Sequence, residues 1–107
     1  MAVALGDPAA MRSEAYALRA QAEALASLAQ QLQGRVESLT FEGPAADRFR
    51  SAMTERYHEA LRLAGELQDL ANYVFRAAAR VEAQIAELRR QEELRQQREF
   101  EAMEGYQ

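Results

Sequence analysis

The chain has 107 residues, of which 17 are acidic and 13 basic, giving a formal charge of −4; hydrophobic residues make up 49%. That length allows one domain at most, and the acidic balance excludes the basic footprint of a nucleic-acid binder. Zero cysteine removes disulfides, thiol catalysis and thiolate metal sites together.

Ala, Leu, Glu, Gln and Arg dominate, with only two prolines and five glycines. Such a composition favours long helices and predicts an all-α fold. No apolar run approaches the length of a membrane span, so stable membrane insertion is not expected. Met1-Ala2-Val3-Ala4-Leu5-Gly6 has neither the basic region nor the hydrophobic core of a signal peptide. On composition alone the chain reads as cytoplasmic.

Residues 1 to 6 read as a loose arm. Asp7-Pro8 is a helix start, a side-chain cap followed by proline at the first helical position. The first helix is predicted over about residues 8–40. Its apolar residues Met11, Ala15, Leu18, Ala22, Leu25, Ala29, Leu32, Val36 and Leu39 alternate spacings of four and three, a sustained heptad seam. Leu28 widens this stripe.

Leu39-Thr40-Phe41-Glu42-Gly43-Pro44 breaks the pattern. Gly43 admits a positive φ or a close approach by another chain, and Pro44 suits the first position of a new helix. The turn is placed at residues 41–43, with Phe41 plugging the end of the core and Asp47 complementing the helix dipole. A second helix is predicted over about 44–98. Its seam runs through Ala46, Phe49, Met53, Tyr57, Ala60, Ala64, Leu67, Ala71, Val74, Ala78, Val81, Ile85 and Leu88. The spacing slips by one residue between Phe49 and Ala60. A second stripe of Leu63, Leu70 and Ala77, with Leu61 and Phe75 further round, gives this helix two faces to bury. Beyond residue 88 charges of both signs crowd in, as a solvated extension or a frayed tail.

A first helix over 8–40 spans roughly 50 Å, which a second helix folding straight back matches by about residue 76. Val81, Ile85 and Leu88 then lie beyond its reach, and water-exposed apolar surface of that size forfeits several kcal/mol at about 25 cal/mol per Å². A partner chain, homodimeric or heterodimeric, is the expected solution: two antiparallel hairpins forming a four-helix bundle. Leu18, Leu25, Leu32, Leu67, Val74, Val81, Ile85 and Leu88 are its expected seam.

Nothing in the sequence supports a catalytic site. His58-Glu59 opens like a zinc-protease motif, but Arg62 stands where the second histidine belongs. As the only histidine, His58 also excludes paired Glu-x-x-His di-metal sites. No metal and no cofactor is expected. Tyr16, Tyr57 and Tyr73 read as core or interface aromatics.

Thr40-Phe41-Glu42-Gly43-Pro44-Ala45-Ala46-Asp47-Arg48-Phe49 resembles the W-x-G turn and following helix of the WXG superfamily. These are ESAT-like proteins of about a hundred residues. Phe41 stands at the tryptophan position, without its indole N–H, and Gly43 at the glycine. The resemblance implies a helical hairpin that dimerises, is exported by a type VII secretion system without a cleaved signal, and binds rather than catalyses. It also implies a Y-x-x-x-D/E export signal after the second helix, read by the secretion ATPase. Phe100 and Glu104 keep that spacing with phenylalanine for tyrosine, and chance in a glutamate-rich tail accounts for it equally well. The alternative from a different class is a cytoplasmic coiled-coil adaptor or structural bundle subunit.

Overall fold

The computed structural model describes residues 6–105. The arm proposed for residues 1–6 lies almost wholly outside them. Two helices, α1 (Pro8–Glu37) and α2 (Pro44–Glu104), pack antiparallel as a hairpin, with no strand among the described residues. The molecule measures 98 × 20 × 14 Å, and α2, with 61 residues, sets the long dimension at 1.5 Å per residue.

Asp7 caps α1 as its sequence signals: its carboxylate accepts from the Ala9 and Ala10 N–H groups at 3.0 and 3.4 Å. At the other end the helix stops at Glu37, not at residue 40. The Ser38 hydroxyl donates to the Arg35 carbonyl at 2.9 Å, competing locally with helix continuation. Further on, the Thr40 carbonyl would need an N–H from residue 44, which proline lacks. The connection is therefore the six residues Ser38–Gly43 rather than a tight turn at 41–43. Conversely α2 continues past the expected residue 98 to Glu104.

This longer connection corrects the expected register. Folding straight back would set Arg12 level with about residue 72, but Arg12 forms an ion pair with Glu82. The difference of ten residues is about 15 Å of helix. It arises because residues 38–43 run beside the first turns of α2, so α1 begins its pairing near Thr54, which receives a hydrogen bond from Gln33 at 3.3 Å. Pro8 then lies level with about residue 86. Val81 and Ile85 are within reach of α1 and half-buried. The uncovered length of α2 starts near Leu88.

The line of contact is made of alanine. Ala15, Ala22 and Ala29 in α1, and Ala64, Ala71 and Ala78 in α2, recur every seven residues and are buried; Met11, Val36 and Ala46 close the ends. Methyl side chains let the two backbones approach closely, but they supply little apolar area. The leucines expected in this seam stand beside it. Among the described residues no large side chain is fully buried.

Candidate protein-binding surface

Paired residues across the hairpin define its two faces. Arg12 with Glu82, Arg19 with Phe75 and Gln33 with Thr54 mark one flank of the alanine line. These residues recur at heptad spacing, so the opposite flank is formed by the rows Leu18, Leu25, Leu32 and Met53, Ala60, Leu67, Val74, Val81, Leu88. Outside them lie Leu28 in α1 and Leu63, Leu70 and Ala77 in α2.

This second flank is a continuous aliphatic face. Leu18, Leu25, Leu67, Val74 and Val81 are half-buried in it. Leu28, Leu32, Leu63, Leu70 and Leu88 are 63%, 47%, 50%, 47% and 64% exposed. The other flank exposes one large ring, Tyr16, whose edge packs on Phe75 with centroids 4.9 Å apart. Arg19 caps that pair, 4.7 Å from the Phe75 centroid. Apolar surface therefore concentrates on one side. Near its turn end a groove of about 220 Å³ opens between Leu25, Leu28, Leu32, Met53, Tyr57 and Ala60.

The turn presents a second apolar cluster. Gly43 has φ +113°, and a Cβ added there meets nothing within 4 Å. Of the two roles open to it, the positive φ is the one this chain uses. Pro44 occupies the first position of α2, and the Gly43 carbonyl accepts from Asp47 N at 3.0 Å. Phe41 does not plug the core: it is 43% exposed and packs against Phe49, with ring centroids 6.0 Å apart. The short helix α1 ends before it can enclose the ring. Arg50, which no sequence pattern singled out, donates to the Leu39 and Phe41 carbonyls at 3.0 and 2.7 Å. Its guanidinium carbon lies 5.0 Å from the Phe41 centroid. The signal available was its place two turns into α2, one turn beyond Asp47.

The third surface is the end of α2. Leu94, Phe100 and Met103 are exposed there, and Phe100 and Glu104 lie one turn apart on the helix. Arg95 bridges Glu92 and Glu99, the latter at 2.6 Å. Arg95's hydrogen bond holds the Glu92 carboxyl below its ordinary value, outweighing the opposing effect of desolvation.

His58 is exposed, its ring tilted 54° against that of Tyr57 with centroids 5.5 Å apart. Tyr57 is half-buried and Tyr73 exposed. Among the described residues no group of three or more His, Cys, Asp or Glu is placed to hold a metal, and no helix is long and apolar enough to cross a membrane.

Comparison with curated proteins and with solved structures finds no match. Residues 6–85, which include all of α1, the turn and the aliphatic face as far as Val81, match the family described as WXG100, proteins of 100 residues with WXG. A two-helix hairpin of this length, with Phe41-Glu42-Gly43 at its turn, belongs to the WXG100 family of small ESAT-like helical proteins associated with type VII secretion.

Proposed function

We propose that the chain is a substrate of a type VII secretion system that works by binding another helical hairpin, with no catalytic step of its own. The observation that carries this reading is the aliphatic face: a hairpin held by alanines leaves its leucines on one outer side. A domain of this size has a few kcal/mol of stability to lose. Covering those leucines with a second hairpin completes a four-helix bundle of the usual left-handed kind. Leu18, Leu25, Leu32, Leu67, Val74, Val81 and Leu88 then supply its interior, with Ile85 at the edge.

The exposed end of α2 is the segment offered to the secretion ATPase. Phe100 and Glu104 give an aromatic ring and a carboxylate on one helical face, a pairing suited to an apolar groove with a basic rim. The protein is thus cytoplasmic until export and extracellular or at the cell surface afterwards.

Export is tested by expressing the full chain in a host with a functional type VII system and assaying the medium. The expected result is secretion that stops when the ATPase is inactivated and falls sharply with Phe100→Ala or Glu104→Ala. Retention in the cytoplasm with an intact system, while a stable multi-chain bundle still forms, supports the cytoplasmic adaptor instead.

A further inference from the structure

The flank opposite the leucine rows has a chemistry of its own. Tyr16 and Arg19 from α1 and Asn72, Phe75 and Arg76 from α2 line an open cleft of about 410 Å³. Two guanidiniums from different helices meet there, in a chain whose formal charge is −4. Neither Arg19 nor Arg76 makes an ion pair among the described residues.

Each arginine is unpaired for a visible reason. The residues three and four positions from Arg76 are Asn72, Tyr73, Ala79 and Arg80, so its own helix offers it no carboxylate. Arg80 instead adds a further positive charge one turn on. Arg19 does have a carboxylate at helical spacing, Glu23, and leaves it unused. Side chains on a helix lean toward its N-terminus, which carries Arg19 toward Tyr16 and away from Glu23. Its guanidinium carbon lies 4.7 Å from the Phe75 centroid and 5.9 Å from that of Tyr16. Those two rings, packed edge to face at 78°, hold it in place. The Arg19 Nε–H is shielded from solvent and finds no acceptor, although buried donors are ordinarily satisfied. Glu82, one heptad along α2 from Phe75, is already engaged by Arg12.

We infer that this cleft binds the carboxylate of an acidic peptide segment, gripped by Arg19 and Arg76, with an apolar side chain of the same segment against Tyr16. Arg19 is already oriented by the rings, so its planar fork loses little freedom on meeting a carboxylate. Tyr16, 60% exposed, supplies apolar contact beside the charge. A peptide fits this cleft better than a free ion does. The rod is only 14 Å across at its narrowest, so a cleft on it stays wet, and charge attraction alone is weak there. Apolar contact has to add to it, and a small oxyanion has none to give. This flank stays open whatever covers the leucines, so the inference stands apart from the secretion reading and gives the protein a further partner.

Fluorescence anisotropy with a labelled peptide of alternating leucine and glutamate, added to the full-length protein at low salt, tests the cleft. The expected result is saturable binding below about 1 mM, weakened by added salt and absent for a peptide with glutamine in place of glutamate. Arg76→Gln is the cleanest variant, because Arg76 is exposed and unpaired and its loss leaves the fold intact. It should weaken binding about tenfold. Arg19→Lys should weaken it similarly, since an ammonium cannot reproduce the fork. Ring proton signals of Tyr16 and Phe75 should shift on adding peptide to the parent and stay still in the Arg76→Gln variant.

Binding that survives Arg19→Gln combined with Arg76→Gln lies elsewhere on the hairpin and overturns the site. Inorganic phosphate that displaces the peptide at equal concentration overturns the peptide assignment in favour of a general oxyanion site. An absence of saturable binding up to about 1 mM overturns both. The proposed secretion role is left standing in each case.

Discussion

Arg50 holds Phe41 twice, by a 2.7 Å hydrogen bond to its carbonyl and by placing its guanidinium carbon 5.0 Å from the ring centroid. A third link, to the Leu39 carbonyl at 3.0 Å, fixes the chain on the other side of Thr40. These carbonyls lie outside both helices and have no backbone partner, so a forked cation is the natural donor to both. Arg50→Ala should therefore lower stability by about 1–2 kcal/mol, read as a shifted urea midpoint with an unchanged slope. Arg50→Lys should recover less than half, because one ammonium cannot reproduce the planar fork. A lysine variant as stable as the parent means that charge alone holds the turn.

Gly43 makes a separate demand on the same turn. Its φ of +113° and ψ of 174° belong to a region that side chains other than glycine's scarcely visit. Because a methyl group added there would meet only open space, steric collision contributes nothing to the cost of substitution. Gly43→Ala should cost about 1–3 kcal/mol from backbone strain alone. Gly34→Ala is the control: it lies within α1, also with open space, and should stabilise the protein by up to about 1 kcal/mol. Equal effects at the two positions would show that the turn relaxes to another conformation.

Heptad spacing made the two helices and their antiparallel pairing legible, since Asp7-Pro8 and Gly43-Pro44 punctuate it unambiguously. It did not show which apolar row sits at the centre. Alanine and leucine rows alternate with the same period, and periodicity carries no information about helix separation. The alanine row won because small side chains permit closer backbones, which pushes Leu18, Leu25 and Leu32 to one flank. The register failed for a different reason: an extended residue advances about 3.3 Å and a helical one 1.5 Å. Moving only Ser38, Leu39 and Thr40 out of helix slid α1 far enough to bring Arg12 beside Glu82. Arg50 was invisible because its partners are carbonyls, which every residue carries.

The alanine row and the leucine face predict opposite behaviours for neighbouring residues. Ala71 is fully buried and Leu70 is 47% exposed. Ala71→Leu should force the helices apart and destabilise even an isolated hairpin by about 1–3 kcal/mol. Leu70→Ala should leave thermal unfolding at high dilution nearly unchanged while weakening association at micromolar concentration. The contrast is measured by following melting temperature against protein concentration, which rises with concentration only where association is linked to folding. A Leu70→Ala variant that loses stability equally at all concentrations would place Leu70 inside the hairpin's own core.

The exposed arm of α2 should respond to acid before the hairpin does. Arg95's hydrogen bond to Glu92 is the main reason that the Glu92 carboxyl titrates below its ordinary value of 4.5; the attraction of the Arg95 charge adds to it. The same contact raises the Arg95 value, so the guanidinium stays charged throughout the acid range. A depressed carboxylate stabilises the helix above its unfolded value, and that contribution is lost as pH falls through the folded one. Helix at residues 91–104 should thus be retained from neutral pH down to about pH 5 and weaken progressively below it. Amide exchange or chemical shifts in this segment report the change, while signals from the alanine row stay constant over the same range. Glu92→Gln should weaken the arm at neutral pH and flatten its acid response. An arm that keeps full protection through the acid limb would mean that the Arg95 bridges do not hold it.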